Sequence, residues 1–180
     1  EQRLSTWHGD WITVFTANLG RTNRTALKRR ERALNMLGFR ELEQGLHIRP
    51  NNLANGPEGA LIRLRKLGLE PEARICLSQS WSDEQTLKTL WDSEHLNANY
   101  RHWQQTLEAW IGQATELDAE AAARESFLLG GQAIRHVVFD PLLPDSFIDS
   151  QARLAFVASV RKFDKVGHQI WQTLYATALR

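Results

Sequence analysis

Short apolar runs alternate with amphipathic stretches along the first eighty residues. The run Trp11 to Ala17 is β-branched and aromatic, which is typical of a buried strand. The stretch after Thr22, which we expect to be the N-cap, repeats leucine with helical spacing and ends at Gly38. The predicted elements are strands at 11–17, 39–43, 46–49 and 73–78 and helices at 23–38 and 60–67. This order predicts a ferredoxin-like βαββαβ domain over residues 1–80.

The pattern changes after Trp81, where apolar residues recur with a period near 3.6. Helices are predicted from 83 to 92, around 96 to 111 and from 117 to 138. Pro141 and Pro144 then interrupt the helical pattern. Residues 150–180 form either one long helix or two short helices. The fold class is therefore predicted to be α+β, with an all-α helical C-terminal domain at 81–180.

Composition limits the possible classes of protein. Hydrophobic residues make up 42% of the chain and charged residues 24%, as in ordinary globular proteins. No stretch approaches the roughly twenty apolar residues that a membrane span requires, so we expect no membrane partner. The chain has one cysteine, Cys76, which excludes an internal disulfide and favours a reducing, cytoplasmic location.

Charge is distributed unevenly along the chain. Residues 1–80 contain 13 Lys and Arg against 8 Asp and Glu, whereas residues 81–180 contain 9 against 13. The positive charge is concentrated in the first predicted helix, where Arg24, Lys28 and Arg32 are candidates for contact with DNA phosphates. The alternative is that these side chains form the solvated face of an amphipathic helix. No helix–turn–helix pattern is visible, so we do not expect these 180 residues to read a DNA sequence on their own.

No catalytic or metal-binding pattern stands out. The histidines do not form a cluster with the spacing of metal ligands. Cys76 falls in a predicted central strand, where a buried hydrophobic role is expected. Nucleophile elbows and phosphate-binding glycine loops are also missing from the sequence. We therefore predict no enzyme activity, no catalytic residues, no metal and no cofactor.

The aromatic residues of the helical half suggest a binding function. Trp103 lies on a helical stripe, and Arg135 and His136 lie near the end of a later helix. Aromatic walls with a few cationic groups suit a ligand with an apolar ring and an anionic part. We therefore take Trp103, Arg135 and His136 as candidate effector-binding residues. The alternative is that the tryptophans simply belong to the core.

Several motifs, taken in order, resemble one family. The motifs are Trp7-His-Gly-Asp-Trp11 before an apolar strand, the basic helix ending in Leu37-Gly38-Phe39, Gln44-Gly-Leu-His-Ile-Arg-Pro50, Trp91 followed by Tyr100, and Arg135 followed by Asp140-Pro-Leu-Leu-Pro144. Together they resemble the middle and C-terminal domains of transcriptional regulators of the PaaX type, the phenylacetic acid degradation repressors.

The resemblance implies a homodimeric repressor of aromatic-acid catabolism. It also implies that the ferredoxin-like middle domain is similar in fold to the nuclease Cas2. It implies DNA binding through a winged helix-turn-helix head that this chain does not contain, and an aryl-acyl-CoA or aromatic-acid effector. The chain departs from the family at Gly131 to His136, where the family commonly has a His-Glu-x-Arg-Arg run. Two alternatives remain, a protein-interaction module without a head and a metal-dependent Cas2-like nuclease. The first predicted strand lacks the carboxylate that Cas2-type cleavage uses.

Overall fold

The computed structural model describes residues 4–178. These residues form two compact units. The first unit contains the chain up to Asp92 together with Phe139–Phe147. The second unit contains Ser93–Val138 and the chain from Ile148 onward. The domain boundary predicted after residue 80 stays a prediction.

A four-stranded antiparallel sheet forms the centre of the first unit, with the strand order β2-β3-β1-β4. The strands are β1 at Trp11–Phe15, β2 at Arg40–Glu43, β3 at Leu46–Pro50 and β4 at Arg74–Ser78. The middle of β1 is paired on both sides, since Val14 lies opposite His47 on β3 and Ile75 on β4. This register explains why β1 is rich in β-branched and aromatic residues, which suit a strand with neighbours on both edges.

Three helices complete the first unit: α1 at Arg24–Met36, α2 at Gly56–Leu67 and the short α3 at Glu84–Lys88. Alternate residues of β1 point into one apolar core, where Ile12 and Val14 join Leu34 of α1 and Leu64 of α2. All four are at most 1% exposed. The sheet and its helices confirm the predicted α+β class.

Both long helices of the first unit begin at positions other than predicted. Asn23, not Thr22, caps α1, because its side-chain oxygen accepts hydrogen bonds from the backbone N–H groups of Thr25 and Ala26. Helix α2 begins at Gly56, within the segment predicted to be a loop. Pro57 lies in the first turn of α2, and proline is compatible with this position because a backbone N–H in the first turn has no helical partner.

The expectation that Cys76 is a buried hydrophobic residue was wrong. β4 is an edge strand of the sheet, and Cys76 is exposed and free. Its sulfur lies 2.8 Å from the hydroxyl oxygen of Thr13 on the neighbouring strand. A run of apolar residues does not distinguish an edge strand from a central one, which is why the error arose.

The segment Phe139–Phe147, called here the docked segment, is held to the first unit by Arg49. This side chain is fully buried, and its guanidinium donates to the Leu37 carbonyl, to the side-chain oxygen of Asn52 at 2.7 Å and to the Leu142 carbonyl at 3.5 Å. Asn52 also donates to the Leu142 carbonyl, at 2.8 Å. The buried cation thus links the end of α1, β3 and the docked segment.

Aromatic side chains pack around the far end of the docked segment. The ring centroid of Phe147 lies 5.4 Å from Trp7, 6.0 Å from Trp11 and 5.7 Å from Trp91, in edge-to-face geometry. Trp91 also donates from its indole N–H to the Gly38 carbonyl at 3.0 Å. These tryptophans therefore form part of the core of the first unit.

The second unit is helical, with α4 at Ser93–Gln113, α5 at Ala119–Val138 and α6 at Ser150–Ala178. Helix α6 is one continuous helix, which settles the alternative left open by the sequence. It packs against α4 through Tyr100 and Phe156, whose rings stack 6.1 Å apart, and through Trp110 and Phe163 at 4.7 Å. The interruption predicted at the two prolines is also confirmed, because α5 ends at Val138.

Within residues 4–178, no helix has both the length and the apolar character needed to cross a bilayer.

Candidate functional site

Two of the three predicted effector-binding residues lie against each other. The rings of Trp103 on α4 and His136 on α5 have centroids 4.8 Å apart and are tilted by 42°. Trp103 is only 9% exposed, so most of its indole surface is already covered. The pair is therefore largely a packing contact, in line with the core alternative for Trp103.

The surroundings of His136 favour the neutral imidazole. Burial lowers the pKa of His136 below 6.5, and the positive charges of Arg135, His102 and His95 lower it further. Desolvation and like charges both penalise the protonated ring.

Arg135, the third predicted residue, lines a groove between α5 and α6. The groove has a volume of about 600 Å³. We call it the α5–α6 groove, and it is lined by Ser126, Phe127, Leu128, Gly130, Gly131, Gln132, Ala133, Ile134, Arg135, Val160, Phe163, Asp164, Gly167, His168 and Trp171. Its walls are mainly apolar, with Arg135, Asp164 and His168 as the titratable groups.

The floor and rim of the groove differ in exposure. Phe163, on the floor, is 4% exposed and packs against the ring of Trp110. Phe127 and Ile134, on the rim, are 71% and 52% exposed. A patch of large exposed apolar side chains on one helix face often marks a binding surface. Gly131 also lines the groove and has open space where its Cβ would lie.

Helical spacing alone would assign this surface to packing. Phe127, Gly131, Ile134 and Val138 form a helical stripe, and such a stripe usually faces the core. In the structure α5 instead buries its small residues, Ala122, Ala123, Ser126 and Ala133. Small side chains carry a weak hydrophobic signal, so the larger exposed residues dominated the pattern.

The candidate phosphate-contacting residues lie where they can be reached from solvent. Arg24, Lys28 and Arg32 are all exposed on α1, four residues apart. Arg30 on the same helix differs, because it is 4% exposed and donates to the Glu70 carboxylate at 2.6 Å. The run of positive charge predicted from the sequence thus divides into a solvated row and a buried ion pair. Contact of the solvated row with DNA stays a prediction.

Metal binding has no geometric support in the part of the chain that the structure describes. Within residues 4–178, no three His, Cys, Asp or Glu side chains are placed to hold one ion together.

Comparison with known proteins adds the following. The family model described as PaaX-like protein C-terminal domain matches residues 91–173, which include α4, α5 and most of α6. Among solved structures, the chain is similar to the uncharacterized protein Rv0674 from Mycobacterium tuberculosis, with a TM-score of 0.54 and 20% sequence identity. The match covers 94% of this chain, and the chain spans 66% of that structure.

A likeness at this identity shows a shared fold and nothing further. The sequence has no significant match among curated proteins. The family match is more specific, because it covers α5 and most of α6, which form the α5–α6 groove, and begins at the tryptophan that bonds to Gly38. Residues 91–173 are therefore similar to the C-terminal domain of PaaX-like proteins.

Proposed function

We propose that the chain is the effector-binding and dimerising part of a cytoplasmic transcriptional repressor of aromatic-acid catabolism. The full protein binds its operator through a winged helix-turn-helix domain outside this chain, and the chain itself catalyses no reaction. The observation that carries the proposal is the PaaX-like match over residues 91–173. The strand β1 contains no carboxylate, so we assign no Cas2-like cleavage to the chain.

A ferredoxin-like, Cas2-like identity for the first unit is part of this proposal. Its support is the element order strand, helix, strand, strand, helix, strand together with the antiparallel strand order β2-β3-β1-β4. In the proposed regulator this unit joins the DNA-reading domain to the helical unit.

The α5–α6 groove is the proposed effector site. Its volume of about 600 Å³ lies within the usual range of small-molecule pockets. The side chains of Phe127, Phe163 and Trp171 offer apolar surface to an aromatic ring, and Arg135 offers a cation to an anionic group. An aryl-acyl-CoA thioester or an aromatic acid has this combination of groups.

The effector must act by distinguishing two arrangements of the protein. A ligand shifts an equilibrium only by the difference between its affinities for the two states. Helices α5 and α6 both connect to the docked segment, since α5 ends at Val138 and α6 begins at Ser150. A ligand that spreads or closes the two helices is thereby coupled through the chain to Arg49 and the first unit.

The proposal is tested by calorimetric titration of this chain with phenylacetyl-CoA, phenylacetate and free CoA. We expect phenylacetyl-CoA to bind, and we expect Arg135→Gln to weaken that binding about tenfold through loss of a charge-assisted hydrogen bond. Arg124→Gln is the matched control, because Arg124 is also exposed on α5 but does not line the groove. No heat with any of the three ligands would overturn the effector assignment.

Regulation is tested on the full-length protein by electrophoretic mobility shift on its own promoter region. We expect a shifted complex that phenylacetyl-CoA releases, and a smaller release with the Arg135→Gln variant.

Replacing Arg24, Lys28 and Arg32 together by Gln tests the accessory phosphate contact. The plot of log binding constant against log salt concentration has a negative slope, and the loss of three phosphate contacts is expected to reduce its magnitude by roughly three. An unchanged slope would remove these residues from the DNA interface.

A further inference from the structure

A second cavity lies in the first unit, on the side of the sheet that α1 covers. It has a volume of about 260 Å³. We call it the hairpin cleft, because the hairpin of β2 and β3 forms one wall and α1 and the end of β1 form the others. It is lined by Thr16, Ala17, Arg21, Leu27, Arg30, Glu31, Leu34, Glu41, Gln44, Gly45 and His47. Most of these side chains are polar, in contrast to the α5–α6 groove.

A buried guanidinium forms one part of the cleft. Arg30 is 4% exposed, and it donates to Glu70 and to the Gly20 carbonyl. All of these bonds come from Nε and Nη2. The third nitrogen, Nη1, takes part in none of them. The position of Arg30 is fixed by its partners, which is the preorganisation that favours binding of an anionic group.

A histidine with an unsatisfied ring atom forms another part. Nδ1 of His47 is buried and has no hydrogen-bond partner among the described residues. Burial lowers the pKa of His47, with Glu41, Arg30 and Glu31 as the nearby charges that act on it. A neutral imidazole can either donate or accept at Nδ1, depending on its tautomer. Buried polar atoms are normally paired, so an unpaired one on a residue that lines a cavity points to a missing partner nearby.

The cleft presents charges of both signs. Arg21 supplies a cation and Arg30, whose charge is already paired with Glu70, supplies its remaining Nη1 donor, whereas Glu31 and Glu41 supply carboxylates. Glu41 is held in place, because it accepts a hydrogen bond from the Gly45 backbone N–H at 2.9 Å. A ligand with one sign of charge would meet repulsion from half of these groups. A ligand with both signs can pair with all of them.

From this arrangement we propose that the hairpin cleft binds a small zwitterion that carries a carboxylate and an ammonium group, that is, a molecule of amino-acid size. The carboxylate lies toward Arg21 and Arg30, and the ammonium lies toward Glu31 and Glu41. The volume agrees with this size, since about 30 Å³ per water molecule gives room for on the order of eight waters. A CoA thioester is far too large, so this site is separate from the proposed effector groove.

The first experiment is a calorimetric titration of the chain with each of the twenty standard amino acids. For the tightest ligand, two analogues are then compared, the acid without its ammonium group and the amine without its carboxylate. We expect each analogue to bind at least tenfold more weakly. Lack of any binding up to 10 mM, or equal binding of the analogues, would overturn the proposal.

The second experiment locates the site. Arg21→Gln and Glu31→Gln change exposed side chains of the cleft, so both variants should fold, and each should weaken binding about tenfold. Arg24→Gln and Glu43→Gln are the matched controls, because both residues are exposed and lie outside the lining. The His47 ring nitrogens, followed by NMR, should shift on binding in the native protein. Equal weakening by the controls, or an unmoved His47 signal, would contradict this location.

Discussion

A Cβ atom built on Gly38 would overlap the carbonyl oxygen of Pro141, far inside van der Waals contact. Gly38 also has φ of +74°, a conformation that costs other residues free energy. The two residues belong to the Leu-Gly-Phe and Asp-Pro-Leu-Leu-Pro motifs, which are about a hundred positions apart in sequence. These motifs are therefore two sides of one contact that holds the docked segment.

Gly38→Ala should destabilise the protein by about 3–4 kcal/mol, of which about 1–2 kcal/mol is the cost of the left-handed backbone and the rest is the steric clash. Gly9→Ala provides the matched control, since Gly9 has φ of +90° and nothing within 4 Å of its Cβ position. We expect Gly9→Ala to cost only about 1–2 kcal/mol. Urea unfolding followed by tryptophan fluorescence measures both values. Equal losses would show that Pro141 does not press on position 38.

Arg49→Lys should also destabilise the first unit. Burial lowers the pKa of Arg49 to about 9, so its guanidinium is still charged at neutral pH and serves carbonyl acceptors in several directions. A lysine ammonium cannot reproduce this planar fork. The expected loss is about 2–4 kcal/mol, because buried acceptors lose their donors.

Arg65→Lys, on the exposed side of α2, is the control for Arg49→Lys and should change stability by less than about 0.5 kcal/mol. The free energies of unfolding come from urea denaturation at pH 7. A loss below about 1 kcal/mol for Arg49→Lys would mean that water or a neighbouring group replaces the guanidinium.

The elements of the fold were predictable where a strong periodicity met a clear stop signal. The strand at β1, the helix α1 that precedes Gly38 and the helices of the second unit all have such signals. The attachment of the docked segment was not predictable, because it depends on contacts between residues distant in sequence. Arg49 shows the limit most clearly, since an arginine in a strand pattern is expected to face solvent and here is fully buried.

The candidate site was predictable only in part. Residue type singled out Trp103, Arg135 and His136 as candidates, but Arg135 and His136 are successive residues of one helix and face different ways. Successive residues differ by about 100° around the axis. Thus His136 meets Trp103, whereas Arg135 lines the groove. The hairpin cleft gave no sequence signal, because it is assembled from α1 and a hairpin that carry ordinary surface residues.

The ion pair of Arg30 and Glu70 should give the protein a pH-dependent stability. The hydrogen bond from Arg30 lowers the pKa of Glu70 below its ordinary value. A carboxyl with a depressed folded-state pKa contributes stability above its unfolded pKa of 4.5, and this contribution is lost as the pH falls through the folded-state value.

Glu70→Gln should therefore destabilise the protein by about 1–3 kcal/mol at pH 7, since it leaves Arg30 buried without a counter-charge. The difference from the native protein should shrink as the pH falls below 4.5. Glu72→Gln, at an exposed neighbouring position, should have little effect at either pH. Unfolding curves at several pH values test this, and a difference that is constant from pH 7 down to pH 3 would argue against the ion pair.

The contact between His136 and Trp103 makes a prediction that does not depend on any effector. Burial and then the charge of Arg135 lower the pKa of His136 below 6.5, so Arg135→Gln should raise it toward that value. Added salt should act in the same direction, because it screens the charges of Arg135, His102 and His95. NMR titration of the imidazole C–H signals measures the pKa directly, and Arg124→Gln should leave it unchanged.

Since the folded state disfavours the protonated ring, His136 should also make the protein less stable as the pH falls through the range just below 6.5. A pKa of His136 at or above 6.5 in the native protein would mean that the imidazole is not packed against Trp103 as the structure places it.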